Sequence, residues 1–310
     1  GYLSLAACEQ LIIKVKARTN KPFVVNIFIE EERHKEITLP KPNIVCQLEQ
    51  ELSVFQTDTF SVPKTINQEQ YLELLIKHSV PAVSTTFGIF KTEVMTQLKL
   101  HNIKVIANCS SIAEAEYAAI NGADVLILQG TDAGGHQASY LSNTVNYLSS
   151  MDLLVQVQKL NLKLPLIVAG GINISNVNEY WHQGADMVQL GTLFMLSNLG
   201  RLSKGAIEFI LSQSSHLGTQ ITTAITGKCV RGINNDLMHQ INSASYPFPI
   251  QHYATTFLRA QAKKLNNFSY AGLWLGKHES YQFTSTLLLI KQLKEKYLEF
   301  CNEKSAKNDH

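Results

Sequence analysis

The residues best suited to chemistry lie in the stretch Gln129-Gly130-Thr131-Asp132-Ala133-Gly134-Gly135-His136. Its glycines let the backbone approach a flat or anionic ligand closely, and its histidine titrates near neutrality, where it can act as acid or base. The stretch follows Val125-Leu126-Ile127-Leu128, an apolar run that reads as a fully buried strand. A buried strand opening into a glycine-rich turn with one titratable group is how an α/β enzyme presents a cofactor site at its strand C-termini. The same residues would also make a tight turn with a surface histidine, and the motif alone leaves the two readings level. Asp132 could accept a hydrogen bond from His136 or cap the turn that follows; turn chemistry is the favoured role.

Two later strand ends share this character. Ala169-Gly170-Gly171-Ile172 precedes a short helical segment, and Gln189-Leu190-Gly191-Thr192 closes another apolar run with a hydroxyl. In (β/α) barrels the loops after the last two strands often hold a phosphate through backbone N–H groups and a helix N-terminus. Each signal is weak alone, because glycine at such a turn is often only a steric requirement. The pair in this order points to a phosphorylated cofactor. Asn26 is the one polar side chain in Phe23–Phe28, and a strand C-terminus would suit it to a ligand, although a buried Asn more often bonds backbone. The remaining histidines, His34, His78, His101, His182, His216, His239, His252, His278 and His310, fall in helices, loops or the tail and read as surface residues. No HxxxH spacing or carboxylate pairing suggests a metal.

The elements that must position these residues alternate. Strands are expected at 23–28, 82–88, 104–108, 124–129, 165–169 and 187–191. Helices are expected from Ser4, at about 68–78, from Thr92, from the capping box Ser111-Ile112-Ala113-Glu114, at 152–159 and at 175–183. Gly122-Ala123-Asp124 and Gly184-Ala185-Asp186 repeat one helix-to-strand joint. Such alternation means a parallel sheet, and glycines spread over several strand ends without a GxGxxG favour a barrel over an open Rossmann sheet. Residues 30–63 show no clear period and read as an excursion off the scaffold, and residues 139–150 read as a loop over the strand ends. Past 195 the alternation stops. The organisation is then a barrel over 1–194, a helical lid-like addition over 195–280, with a helix at 196–215, and a C-terminal helix and tail over 281–310.

Composition sets the class. Apolar content of 45%, charged content of 17% and a net charge of +2 describe a globular chain with no electrostatic support for nucleic-acid binding. Five scattered cysteines without a CxxC pair argue against a disulfide framework or a zinc site and fit a reducing compartment. No apolar run approaches the ~18 residues of a membrane span, so the expected setting is the cytoplasm.

The blocks KPFVVNIF at 21–28, STTFG at 84–88, IKVIANC at 103–109, GADVLILQGTDAGGH at 122–136, LIVAGGI at 166–172 and GADMVQLGTLF at 184–194 resemble the nitronate monooxygenase family. So do GKCVRGINN at 227–235, YPFPIQ at 246–251 and GLWLGK at 272–277. Asp132 stands where that family usually has Glu. The resemblance implies an α/β fold, a (β/α)8 TIM-type barrel with a helical C-terminal addition. It also implies bound FMN and O2-dependent oxidation of alkyl nitronates such as propionate-3-nitronate. It makes Asn26, Gln129, Gly134, Gly170, Gly171, Gln189, Leu190, Gly191 and Thr192 the FMN contacts and His136 the catalytic residue. The partners implied are a small nitronate and O2, with an oligomer possible. Flavin-dependent enoyl-ACP reductases resemble this family through the AGGH and QLGT blocks and give the alternative activity, while GLWLGK and YPFPIQ speak for the monooxygenase. Six strands are counted where the family has eight, so a chain lacking the first two strands is expected, and an inactive barrel remnant is the third reading.

Overall fold

The computed structural model describes residues 3–142, 144–213 and 218–308. His216, His310 and the end of the helix expected at 196–215 lie outside the described residues. In chain order the strands are β1 (Val24–Phe28), β2 (Ile37–Pro40), β3 (Thr59–Val62), β4 (Ala82–Thr86), β5 (Lys104–Cys109) and β6 (Val125–Gln129). They continue with β7 (Gly135–His136), β8 (Leu166–Ala169), β9 (Met187–Gln189), β10 (Thr219–Thr222) and β11 (Val230–Ile233).

The six expected strands form one parallel sheet, ordered β1-β4-β5-β6-β8-β9. Helices between consecutive strands cover its outer face. Leu126, Leu128, Val168 and Ala107 pack there beneath Leu153, Leu154, Val157, Tyr180 and Trp181. Val83 and Val105 pack beneath Leu74, Leu75, Val94 and Leu98. Because successive strand side chains alternate faces, the residues between these point inward. That inner face is apolar at its lower level, with Ile106, Ile127 and Ala169 in contact. At the C-terminal level it becomes polar, with Asn26 beside Ser84, Asn108 beside Ile127, and Gln129 joined through Ala169 to Gln189. The (β/α) architecture is that of the expected barrel, curled around this inner face. Its two edge strands leave the inward Val24 and Met187 about half exposed, at 49% and 47%.

Helix starts follow local chemistry. Ser4 accepts from the Ala7 N–H at the head of Leu5–Lys16. Asn67 and Gln70 make a reciprocal capping box for Gln68–Lys77. Ser111 caps Ile112–Ile120, but the expected box is only half made. The Glu114 carboxylate is turned to Ser110 and to the N–H groups of Tyr140 and Leu141, and so ties the 139–150 loop to the barrel. Thr92 is the first residue of its helix rather than the cap.

Two expectations are corrected and one is filled in. Residues 30–63 stand off the parallel sheet, as expected, but hold elements of their own: β2 and β3 pair antiparallel around the helix Asn43–Glu51, and Lys41 and Glu49 form a buried ion pair at 2.6 Å. A four-residue strand pair and a nine-residue helix are too short to register as periods. The 195–280 region is not wholly helical, since β10 and β11 join β7 in a three-stranded antiparallel sheet. Here too each strand is only four residues long. The helix expected at 196–215 is instead Thr192–Met195 and Lys204–Gln213. Gly200 lies in the break, where a Cβ would fall 2.2 Å from the Met195 carbonyl oxygen. Among the described residues no helix is long and apolar enough to cross a membrane.

Candidate active site

The three glycine-rich strand ends converge. A cavity of about 200 Å³ opens at the C-terminal edge of β6, β8 and β9, lined by Gln129, Ala133 and Gly134, by Ala169 to Ile172, and by Gln189, Gly191 and Thr192. Seven of the nine expected cofactor contacts therefore meet in one place. Met195, Trp274, Gly276 and His278 complete the wall from the C-terminal region.

The glycines divide into two kinds. A Cβ on Gly134 would lie 2.4 Å from the Gly276 nitrogen, and one on Gly170 would lie 2.8 Å from the Ala133 nitrogen. Gly170 and Gly171 also have φ of 119° and 65°, backbone that favours glycine. These residues let three loops stack on one another, so a steric requirement acts on each of them, and all three line the cavity as well. Gly191 is different: a Cβ there meets nothing within 4 Å, so its bare backbone faces open space. Thr192 accepts from the Gly276 N–H at 2.9 Å and keeps its own hydroxyl proton to donate.

Gln129 lines the cavity and also pins the turn. Its side-chain NH2 donates to the His136 carbonyl at 2.9 Å, and its Oε1 accepts from the Ala138 N–H at 2.7 Å. Asp132 accepts from the Ser150 N–H at 3.2 Å, which agrees with a loop-holding role. The Leu190 side chain packs on the core, and Leu190 lies outside the cavity lining, between two residues that belong to it. Asn26 stands on β1 at the far side of the sheet, outside the cavity lining. Its Oδ1 accepts from Ser84 at 2.9 Å and Thr86 at 3.2 Å, so only its NH2 remains for a ligand.

His136 is brought beside the cavity rather than into its wall. It lies on β7 opposite Val230, among Phe87, Phe248, His252 and Trp274, with ring centroids 5.6, 5.7, 6.4 and 6.5 Å away. Trp274 links the two places, since it also lines the cavity. Phe87 is held at φ 71°, an uncommon conformation for a bulky residue, and this sets its ring edge-on to His136. Burial, reinforced by the positive charges of Arg259 and Lys228, lowers the His136 pKa to about 3, so the imidazole is neutral at physiological pH.

Its tautomer follows from hydrogen bonds. Thr226 donates its single hydroxyl proton to the Lys228 carbonyl at 3.0 Å. With that proton assigned to the carbonyl, the hydroxyl accepts at its 3.1 Å contact with His136 Nε2, which puts the imidazole proton on Nε2 and the lone pair on Nδ1. Above Phe87 and Phe248 stands the Lys228 ammonium, 4.8 and 5.6 Å from the ring centroids, its pKa lowered by burial.

Sequence reasoning missed four groups. His252 and His278 were expected at the surface, but burial draws down the pKa of both, and His278 lines the cavity. Trp274 carried no motif beyond its place in the GLWLGK block, and Thr226, one residue ahead of the GKCVRGINN block, carried none at all. Among the described residues no His, Cys, Asp or Glu cluster could hold a metal.

The residues fit a flavin mononucleotide. A floor of stacked glycine loops, one glycine open to the cavity and a free hydroxyl suit a phosphate and a flat ring. The buried Asn108 Oδ1 on β5 and Thr131 Oγ1 after β6 lack protein partners among the described residues, though both lie outside the cavity lining.

Comparison with known proteins gives a consistent result. The family model described as nitronate monooxygenase matches residues 1–296. A probable nitronate monooxygenase of Staphylococcus saprophyticus is 31% identical, over 97% of this chain and 87% of the relative. One of Bacillus subtilis is 30% identical, over 89% and 80%. Among solved structures, nitroalkane oxidase from Streptomyces ansochromogenes superposes with a TM-score of 0.82 at 24% identity, over 98% of this chain and 88% of that one. FabK from Thermotoga maritima gives 0.70 at 19%, over 99% and 86%. At these identities the two structures bear on the fold alone.

Proposed function

This chain belongs to the nitronate monooxygenase family, and on that premise we propose that it oxidises alkyl nitronates with FMN and O2. The observation that carries the reading is the convergence of all three glycine-rich strand ends on one cavity, with a neutral, tautomerically fixed histidine across Trp274 from it.

In this reading Gly170, Gly171, Gly191 and Thr192 hold the phosphate by backbone N–H groups and a hydroxyl. Gln129, Gly134, Gln189 and the Leu190 backbone border the ring, and the Asn26 NH2 reaches it from across the barrel. FMN, when bound, supplies the one-electron oxidation of the nitronate and passes electrons to O2. The chain's own residues provide placement and proton handling. His136 Nδ1, with its lone pair free, accepts the proton from the carbon next to a nitro group, while Thr226 holds the opposite nitrogen. The Lys228 ammonium offers positive charge to the anion so formed. Phe87, Phe248 and Trp274 exclude water around the exchange, which strengthens both interactions.

The test is direct. The purified protein should show flavin absorbance, release FMN on denaturation and consume O2 with propionate-3-nitronate. Absence of flavin from protein reconstituted with FMN would sink the reading. NADH-dependent turnover of an enoyl thioester without nitronate oxidation would replace it with the reductase alternative.

A further inference from the structure

Of the described residues that line the cavity, His278 alone has a side chain able to carry a charge; the others offer backbone, amides, one hydroxyl and apolar groups. A phosphate monoester brings close to two negative charges at neutral pH, and taking them out of water among uncharged donors alone is costly. We propose that His278 is the cationic partner of the cofactor phosphate, an imidazolium facing the Gly170–Gly171 and Gly191–Thr192 strand ends across the cavity. This rests on the FMN reading and adds to it the origin of phosphate selectivity and a pH dependence of cofactor loading.

The segment that carries His278 is fastened to both glycine loops. The Gly276 N–H donates to Thr192 Oγ1 at 2.9 Å, and the Lys277 N–H donates to the Asp132 carbonyl at 2.8 Å. Tyr281 donates its hydroxyl to the Gly276 carbonyl at 2.6 Å, and its ring stands edge-on to His278 at 5.8 Å. The backbone just before His278 is thus fastened at the rim by three bonds, none of which uses the imidazole nitrogens.

The charged and titratable groups around it are few. Asp132, on the facing glycine loop, favours the imidazolium. Tyr281 is a second titratable neighbour, and Arg231 lies close enough to interact with both Asp132 and Tyr281. Lys277 and Glu279, on either side of it in the chain, are both exposed. Without a ligand burial outweighs Asp132, and the His278 pKa lies below its ordinary value. A dianion at van der Waals distance reverses that balance, so FMN binding takes up a proton. Riboflavin, which lacks the phosphate, takes up none.

The test compares FMN and riboflavin binding to the apoprotein between pH 6.5 and 9, by flavin fluorescence. Wild type should lose FMN affinity as pH rises, by up to about tenfold per unit where one full proton is taken up. Its riboflavin affinity should stay flat. His278→Gln should weaken FMN about tenfold at pH 6.5 and abolish the pH slope, leaving riboflavin unchanged. His278→Lys should restore FMN affinity without the slope. Calorimetry of wild type in two buffers of different ionisation enthalpy gives a readout that needs no variant: proton uptake with FMN, none with riboflavin. FMN binding without proton uptake, or with the wild-type slope in His278→Gln, overturns this proposal and leaves the flavin site standing. Failure of the wild type to bind either flavin overturns both.

Discussion

His136 Nε2 lies 3.1 Å from Thr226 Oγ1, and the direction assigned to that bond follows from a third group, the Lys228 carbonyl 3.0 Å from the same hydroxyl. Thr226 is fully buried, so no solvent competes for either bond. A residue 90 positions along the chain thereby decides which nitrogen of the candidate base is basic.

Removing this acceptor tests it. Thr226→Val keeps the shape but leaves a buried Nε2–H unsatisfied, at a stability cost of about 1–3 kcal/mol. Nitronate turnover should fall about tenfold or more as the tautomer is released, with flavin content retained. Thr226→Ser should recover most of the loss. Equal kinetics for the valine and wild-type proteins would remove Thr226 from the mechanism.

His136→Ala should bind flavin as wild type does, because the ring lies outside the cavity lining. Turnover of a neutral nitroalkane should drop roughly 10²-fold or more, the usual worth of a positioned base. A preformed nitronate, already deprotonated, should be affected less. Stopped-flow flavin reduction with each substrate separates the two, and an identical loss for both would argue for orientation rather than proton transfer.

The two kinds of glycine should behave oppositely. Gly134→Ala forces a Cβ into the backbone of Gly276 and should lower the melting temperature markedly. Gly191→Ala has φ −104° and open space before it, so the protein should fold normally yet bind flavin weakly. Thermal melts of the apoproteins alongside flavin titrations give both answers. Normal flavin affinity in Gly191→Ala would move the ligand away from that backbone.

Stability should fall in acid through two buried rings. His136 and His252 have an ordinary value of 6.5 and are lowered to about 3 in the fold, first by burial and then by Arg259. Between these values the unfolded chain binds more protons. The contribution is therefore complete above pH 6.5 and lost as pH falls toward 3. Urea midpoints measured from pH 7 to 4 should decline in the wild type and decline less in His252→Gln. Parallel declines would place the acid sensitivity elsewhere.

The parallel scaffold was legible because its signals are local. Each barrel strand is a short apolar run between turn residues, and the helices at Leu5, Gln68, Ile112 and Ser150 start behind a capping side chain. The glycine-rich ends of β6, β8 and β9 stood out for the same reason, and their shared register put them on one rim. What escaped was set by contacts between distant residues. Four-residue strands such as Thr219–Thr222 and Val230–Ile233 have no period to read, and they exist because β7 offers an edge to pair with. Asn26 had the right residue type and the right strand end, but it lies on the opposite edge strand of the sheet and outside the cavity lining. His278 and His252 looked like any surface histidine, because burial belongs to the packed chain and not to a residue type. The motifs determined which backbone would face a ligand; only the tertiary structure decided which imidazole meets the cavity, which stays neutral, and which of its nitrogens is free.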